Sequence, residues 1–514
     1  MWAKDNSSDS PDVYWLFGSA GSGKSTIAYT IARRFEFAGD SNDTIILGGN
    51  FFCSRQFEET KLSKYIIRTI AYHLALTCKP FADALHRCGN FITKDHSVKT
   101  QIENLLVKPW PWKEPDPAQR RDPSVPPHLD SSVSSYPNPP MPPLNYLIVI
   151  DALDEIDGNG GSDFLRNLLN VVNKHRLPGL KFFVTSRSDP GLISDVEKFE
   201  RKHRYRLQDV KEKEIRHDIA TYINANLPDP LDRSQVEALV VLSGGLFIYA
   251  TTVVKYLETC GRSEQQDFLA KLLSTANSST PQPFLDATSF TLLDTLYLQV
   301  LRQAFREFIP KTQKWVDRLR ILHTFLCTAD RTSTSVIADL LFPSYYADVA
   351  KKLLSYLHAV LYTEDGRVLA YHKSFSDFIF DQTRSGDFWC DQATHHRYLT
   401  ESCFRIMNAK DGLRFNIAKI SSSFILDRDD STLPDAVKTN ISSVLSYSCR
   451  NWGYHISFAT STTPDHLRKT LADFLEIRAL FWIEAMNLLG MRGHCGPILR
   501  TAHEWVMNSE VSVR

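Results

Sequence analysis

Net charge of either sign is missing from this chain. Lys plus Arg and Asp plus Glu each total 59 in 514 residues, so the formal charge at pH 7 is zero. That balance excludes bulk electrostatic attraction to nucleic acid or an anionic membrane, and leaves only a local patch open. Paired cysteines are missing too. The nine cysteines are scattered, with no C-x-x-C and no zinc spacing, which reads as reduced, buried thiols in a cytoplasmic protein. No secretory leader is visible, because the N-terminus is polar (Asp5, Asn6, Ser7, Ser8, Asp9). Long apolar runs are lacking as well. The longest weakly charged stretch, Ala238 to Val254, is broken by Ser243-Gly244-Gly245 and suits a helix–turn–helix better than a membrane span. No internal period of repeat length is found. What is present is core material: 43% of residues are hydrophobic and 11% aromatic. At about 100–200 residues per domain, the length predicts three or four domains in a soluble chain.

The most informative stretch lies near the start. Val13 to Phe17 reads as a buried strand. Gly18-Ser19-Ala20-Gly21-Ser22-Gly23-Lys24-Ser25-Thr26 follows, and then a helical pattern of Ile27, Ala28, Ile31, Ala32 and Phe35. This is G-x-x-x-x-G-K-[ST] in its strand–loop–helix setting. Glycines let successive backbone N–H groups turn inward toward phosphate oxygens, and the following helix aims its positive end at the same anion. Lys24 is placed to reach the β- and γ-phosphates, and the Ser25 hydroxyl to ligate Mg²⁺. The loop, Gly18 to Thr26, is therefore the expected nucleotide-binding element.

Downstream, Thr44 to Cys53 reads as a second strand, Lys61 to Leu76 as a helix and Gln101 to Val107 as a shorter one. Arg55, just past the strand, reads either as a phosphate contact or as a solvated loop arginine. Residues 109–143 hold twelve of the 25 prolines, which predicts an extended, mobile surface insertion. Tyr146 to Ile150 is a run of five apolar residues ending at Asp151, the pattern of a central parallel strand whose tip faces the nucleotide. Asp151 is the expected Mg²⁺ residue. Asp154 and Glu155 follow, and either can orient an attacking water or remain a plain solvated acid. Lys181 to Arg187 reads as the next strand, with Arg187 at its tip to sense or neutralise a γ-phosphate. The basic run Arg201 to Arg206 reads as the polar face of an edge strand, not a nucleic-acid contact. From Glu212 the periodicity turns helical.

These residues together resemble the NACHT family of signal-transducing NTPases, in the STAND and NOD-like receptor group of P-loop proteins. The resemblance is carried by the loop Gly18 to Thr26, the Walker B form Asp151-Ala152-Leu153-Asp154-Glu155, Thr185-Ser186-Arg187, and the turn Gly244-Gly245-Leu246-Phe247. That turn lacks the proline that the wider group often uses to contact adenine, so adenine and guanine both stay open. Further on, Leu292 to Phe308, Asp317 to Cys327, Ser335 to Leu341 and Lys351 to Leu361 read as helices. A hairpin around Glu364-Asp365-Gly366 completes a winged helix. The following Tyr371-His372-Lys373-Ser374-Phe375 is similar to the segment after the wing in fungal NACHT proteins. The resemblance implies that His372 contacts the β-phosphate of a bound diphosphate, and a structural histidine is the alternative. Cys403 to Gly493 resembles the helical region of basidiomycete members, through Leu413 to Asn416, Tyr447 to Trp452 and Phe474 to Met486. The resemblance implies an effector domain before such a core and WD40-type or other repeats after it, neither of which is read within these 514 residues.

The expected fold is α/β: a P-loop NTPase parallel sheet with helices on both faces (1–211, with the Pro-rich insertion). A small helical domain (212–287), a winged helix (288–385) and an all-α C-terminal region (386–514) follow. The resemblance implies a nucleotide-gated signalling switch in fungal NLR-like self/non-self recognition. It would bind ATP or GTP with Mg²⁺, rest with ADP or GDP, hydrolyse slowly and self-associate through the NTPase domain when active. Two alternatives remain, a nucleotide-binding scaffold without turnover and a P-loop ATPase or kinase acting on an unidentified substrate.

Overall fold

Residues alternate across the first strands in a way that demands cover on both sides, because successive strand side chains point to opposite faces. Val13, Trp15 and Phe17 of β1 (Val13–Phe17) join one buried cluster, and Leu16 joins another. The same division splits β3 (Asn145–Asp151) and β4 (Leu180–Ser186). Ile148, Ile150, Phe182 and Val184 face the first cluster, while Leu147, Val149 and Phe183 face the second. Every residue of β3 and β4 is buried. The computed structural model describes residues 2–5, 10–36, 44–57, 59–88, 97–112, 144–175, 177–188, 193, 196, 202–227, 231–259, 261–278, 287–330, 332–341, 346–421, 429–459 and 464–511.

The chain divides into two compact units, residues 1–225, 231–250 and 279–289 in one and 226–230, 251–278 and 290–514 in the other. In the first, β1, β2 (Ile45–Phe52), β3, β4 and β5 (Lys202–Arg206) form a parallel sheet in the order β2-β3-β4-β1-β5. Helix α1 (Lys24–Glu36) covers one face through Ala28, Ala32 and Phe35. Helices α2 (Ile66–Thr77), α3 (Lys79–Cys88), α4 (Val98–Ile102) and α5 (Gly160–Lys174) contribute Ile67, Ile70, Leu74, Phe81, Ile102, Phe164 and Leu168 to the other. This is a P-loop NTPase sheet with helices on both faces. The basic run falls on β5, at the sheet edge. Helices α6 (Glu212–Asn226) and α7 (Arg233–Ser243) follow, α7 opened by an Asp232–Gln235 capping box.

Three local expectations are revised. The helix read from Lys61 starts only at Ile66, behind a 3₁₀ turn at Ser63–Tyr65, because Lys61 O accepts the Asp157 N–H at 2.9 Å. The one read over Gln101 to Val107 is α4 followed by a π-turn, Glu103–Val107, with Lys108 N–H donating to Glu103 O at 2.9 Å. The wider turn lets three consecutive apolar residues, Leu105, Leu106 and Val107, all be buried. The start of the Pro-rich segment is not a surface extension. Trp110 is buried with its ring 6.0 Å from Phe81 and 5.8 Å from Tyr146, and its Nε1–H donates to Pro178 O at 3.2 Å. The remainder, 113–143, lies outside the described residues.

Helix α8 (Phe247–Thr259) runs from the first unit into the second. There α9 (Arg262–Ser278), α10 (Ala287–Ala304), α11 (Gln313–Cys327), α12 (Thr334–Leu341) and α13 (Tyr346–Tyr356) lead to the hairpin β6 (Leu361–Glu364) and β7 (Arg367–Ala370). The hairpin turns at Asp365 (φ 49°) and Gly366 (φ 76°), a left-handed pair that matches the strand twist. Helix α14 (Lys373–Ile379) follows the wing, and α15 (Gln382–Ser385) places Arg384 so that its guanidinium pairs with both carboxylate oxygens of Asp294, at 2.9 and 2.7 Å. The remaining helices include α16 (Gln392–Asn408), α17 (Leu433–Asn440) and α18 (Ser443–Phe458). Then come α19 (Pro464–Ile477), α20 (Ala479–Leu488) and α21 (Cys495–Val511). They close on Phe404, Trp452, Phe474 and Trp482.

Candidate nucleotide site

The loop after β1 closes back on itself. Gly21 and Gly23 take φ of 74° and 93°, the left-handed region where a side chain would be strained. Ser22 Oγ donates to Ser19 O at 2.8 Å, and Lys24 Nζ donates to Gly18 O at 3.0 Å and Ser19 O at 2.7 Å. Lys24 is thus curled over the loop it follows, and Ser25 and Thr26 open α1 beside it. The turn after α7 docks here as well. Ile248 N–H donates to Gly21 O at 3.2 Å, and the Phe247 ring lies 3.6 Å from where a Cβ on Gly23 would sit. The turn from Gly244, which lacks the proline the wider group often uses against adenine, thus packs on the phosphate loop itself through Phe247 and Ile248.

The sheet order sets the next neighbours. Strand β4 lies between β1 and β3, so the residue leaving β4 stands between the phosphate loop and the tip of β3. Asp151 closes β3 and is 3% exposed. Its Oδ1 accepts the Thr185 hydroxyl at 2.5 Å, and Ser25 also hydrogen-bonds to its carboxyl. Burial raises the Asp151 pKa above the usual carboxylate value, against the opposing pull of the Thr185 and Ser25 hydrogen bonds and the Lys24 charge. Burial likewise pushes the Lys24 ammonium down to about 8, and Arg187 adds to this while Asp154 and Asp151 work against it. Lys24, Asp151, Asp154 and Arg187 therefore share one electrostatic neighbourhood.

After Asp151 the backbone turns sharply. Ala152 adopts a left-handed conformation, φ 54° and ψ 48°, and its N–H donates to Thr185 Oγ1 at 2.8 Å. A 3₁₀ turn at Leu153–Glu155 follows. Asp154 reaches β4, where Oδ1 accepts Arg187 N–H at 3.0 Å and Oδ2 lies 3.0 Å from Arg187 Nε. Glu155 turns the other way, and its Oε2 accepts Arg55 N–H at 3.2 Å. Neither acid is the plain solvated residue that the sequence left open. A cavity of about 130 Å³ opens beside Asp154, Ser186 and Arg187. His372 belongs to the second unit, where it caps α14. Its Nδ1 accepts the Ser374 N–H at 3.1 Å and lies 2.6 Å from Ser374 Oγ, itself 2.8 Å from Tyr297 OH. An Nδ1 that accepts a backbone N–H leaves the ring proton on Nε2.

Sequence reasoning gave Thr185 no role of its own and did not pair Asp154 with Arg187. The hydroxyl-bearing residue at the strand tip was in view, but nothing local says which neighbouring strand it faces.

The loop geometry, the parallel sheet and the order of the strand tips settle the type of protein. This is a P-loop NTPase fold. A family model described as Nephrocystin 3, N-terminal, matches residues 1–113, the part that contains the phosphate loop and β2. Among solved structures, the chain is similar to a Walker-type ATPase of Pyrococcus abyssi at 13% identity, covering 73% of this chain and 93% of that one, with a TM-score of 0.28. It is also similar to the ORC2 protein of Aeropyrum pernix in ADPNP–ADP complexes at 13% identity, covering 71% and 84% of the two chains, with a TM-score of 0.29. No curated protein matches the sequence.

Proposed function

We propose that the chain is a nucleotide-gated signalling switch of the NACHT/STAND type, binding a purine nucleoside triphosphate with Mg²⁺ and hydrolysing it slowly. The observation that carries the reading is the gathering of Lys24, Asp151 and Arg187 at the adjacent tips of β1, β3 and β4, coupled through Asp154. The backbone N–H groups of Gly18 to Thr26 bind the phosphate oxygens, and Lys24 exchanges its loop carbonyls for the β- and γ-phosphates. Arg187 reads the third phosphate, and that extra contact is what makes a triphosphate shift the equilibrium when a diphosphate does not.

Mg²⁺ fits the donors present. Ser25 and Asp151 offer neighbouring hard oxygen ligands, and burial raises the Asp151 pKa, so a cation there would offset the cost of its charge. Among the described residues no cluster of three or more His, Cys, Asp or Glu side chains could hold a metal alone. The two residues would therefore share the ion with the phosphates, where it neutralises their charge. The reading of His372 as the latch of the diphosphate state rests on the motif resemblance. The signalling role, the self-association and the fungal context rest on the motif resemblance. One observation favours the scaffold alternative: Asp154 and Glu155, the acids available to orient a water, are engaged by Arg187 and Arg55.

The test is direct. Lys24→Ala abolishes nucleotide binding, measured by calorimetry, and tight binding by that variant removes the site assignment. Asp151→Asn keeps some nucleotide but loses Mg²⁺-dependent phosphate release. Absence of any turnover in the wild-type protein favours the scaffold.

A further inference from the structure

β2 ends beside the acidic turn, and the two segments are joined at successive points. Cys53 N–H donates to Asp151 O at 3.0 Å, prolonging the β2–β3 pairing beyond Phe52 and Asp151. Arg55 then binds the turn twice, through its backbone N–H to Glu155 Oε2 at 3.2 Å and through Nη2 to Asp154 O at 3.1 Å. Further along, Asp157 N–H donates to Lys61 O at 2.9 Å, and Lys61 Nζ lies 3.9 Å from Asp157 Oδ2. The opposite side of the turn is backed by α5: a Cβ on Gly161 would fall 1.9 Å from Leu153 O.

The Leu153 carbonyl is thus backed by the helix, and the carbonyl of the next residue, Asp154, is held by a guanidinium. The Asp154 carboxylate crosses to β4 and takes both the N–H and the Nε of Arg187. Arg55, Asp154 and Arg187 follow one another along the tips of β2, β3 and β4, in the order in which those strands stand in the sheet. We propose that Arg55 is a positioning residue that aims Arg187 through Asp154, so that the tip of β2 governs how strongly the site prefers a triphosphate over a diphosphate. The proposal rests on the nucleotide reading above. It also separates the two arginines by function. Arg187 stands where a third phosphate is read, whereas Arg55 grips a peptide oxygen on the far side of the acidic turn.

The experiment measures dissociation constants of a fluorescent adenosine diphosphate and of a non-hydrolysable fluorescent triphosphate. The proteins are wild type, Arg55→Met, Arg187→Met and the double variant, with melting temperatures recorded in parallel. Arg55→Met keeps the side-chain length and removes the donor. The expected result is that its preference for triphosphate falls about tenfold, the scale of one charge-assisted hydrogen bond, with diphosphate affinity and melting temperature unchanged. The double variant is no worse than Arg187→Met alone, because the first residue acts through the second. Losses that add in the double variant overturn the proposal, as do equal losses on both nucleotides or an unaltered preference in Arg55→Met. If wild type binds neither nucleotide, it is the nucleotide reading that fails. If wild type discriminates and Arg55→Met discriminates equally, only the role of Arg55 is lost.

Discussion

Thr185 and Asp151, 34 positions apart, meet at 2.5 Å, the Thr185 hydroxyl donating to Asp151 Oδ1 while its oxygen accepts the Ala152 N–H at 2.8 Å. One buried hydroxyl therefore holds both the carboxylate assigned to the metal and the left-handed peptide after it. Thr185→Val conserves the shape and removes both bonds. Leaving the Ala152 N–H without its acceptor costs about 1–3 kcal/mol, to be read from urea unfolding. The Mg²⁺ dependence of nucleotide binding should weaken at the same time. Full stability with unaltered Mg²⁺ dependence would show that the contact is incidental.

Lys24 makes nucleotide affinity dependent on pH. Burial brings its pKa down to about 8 from an ordinary 10.5, so between those values the unfolded chain holds a proton that the folded chain has released. The burial of a charged Lys24 therefore lowers stability below about pH 8. Without added nucleotide, this contribution makes the protein more stable as pH rises through that window. Phosphate binding needs the ammonium form, so affinity moves the opposite way. It should fall by up to about tenfold per pH unit above the Lys24 pKa. Calorimetry across that range checks it, with Lys24→Arg as the variant that keeps its charge. A flat wild-type profile would contradict the buried ammonium.

Gly160 and Gly161 are adjacent and should behave differently. A Cβ at Gly160 meets the Ile156 Cγ2 methyl at 2.7 Å, a side-chain clash, whereas at Gly161 it falls 1.9 Å from the Leu153 carbonyl oxygen and 2.8 Å from its carbon, a backbone clash. Gly161→Ala must push away the 3₁₀ turn that carries Asp154. Overpacking of this kind costs about 1–3 kcal/mol, and triphosphate binding should suffer with it. Gly160→Ala should cost less stability than Gly161→Ala and leave triphosphate binding closer to wild type, because it does not displace the turn's backbone. Equal behaviour of the two variants in chemical denaturation would refute the tight packing of the turn.

His372 can be divided into two roles. Its Nδ1 caps α14 by accepting the Ser374 N–H, and an alanine there forfeits about 1 kcal/mol. Asn caps helices well, so His372→Asn should recover the stability without restoring an imidazole Nε2–H. Both variants are expected to retain diphosphate less tightly than wild type. Should His372→Asn hold diphosphate as well as wild type does, the histidine is a cap and nothing more.

Much of the first unit was legible from local pattern. A strand running into Gly18-Ser19-Ala20-Gly21-Ser22-Gly23-Lys24 can be read directly, because glycine freedom and helix-end polarity belong to neighbouring residues. The hairpin at Asp365-Gly366 was equally plain, its left-handed turn following from those residue types. The Pro-rich segment misled at its first residues. Its prolines argued for exposure, while Trp110 found a buried slot against Phe81 and Tyr146, residues distant in the chain.

Chain order alone thus determined the chemical parts: a phosphate loop, a metal-type aspartate after an apolar strand, and an arginine at the end of another. Only the folded arrangement decided which of them touch. Nothing in the order of residues says that β4 is inserted between β1 and β3, that Asp154 turns toward Arg187 and Glu155 toward Arg55, or that Phe247 and Ile248 close on the loop. The physical reason is range. Glycine conformation, helix ends and strand alternation act over a few residues and leave their mark in the local sequence. Pairings between strand tips are chosen instead by the competition of all possible sheet orders for buried area and satisfied hydrogen bonds.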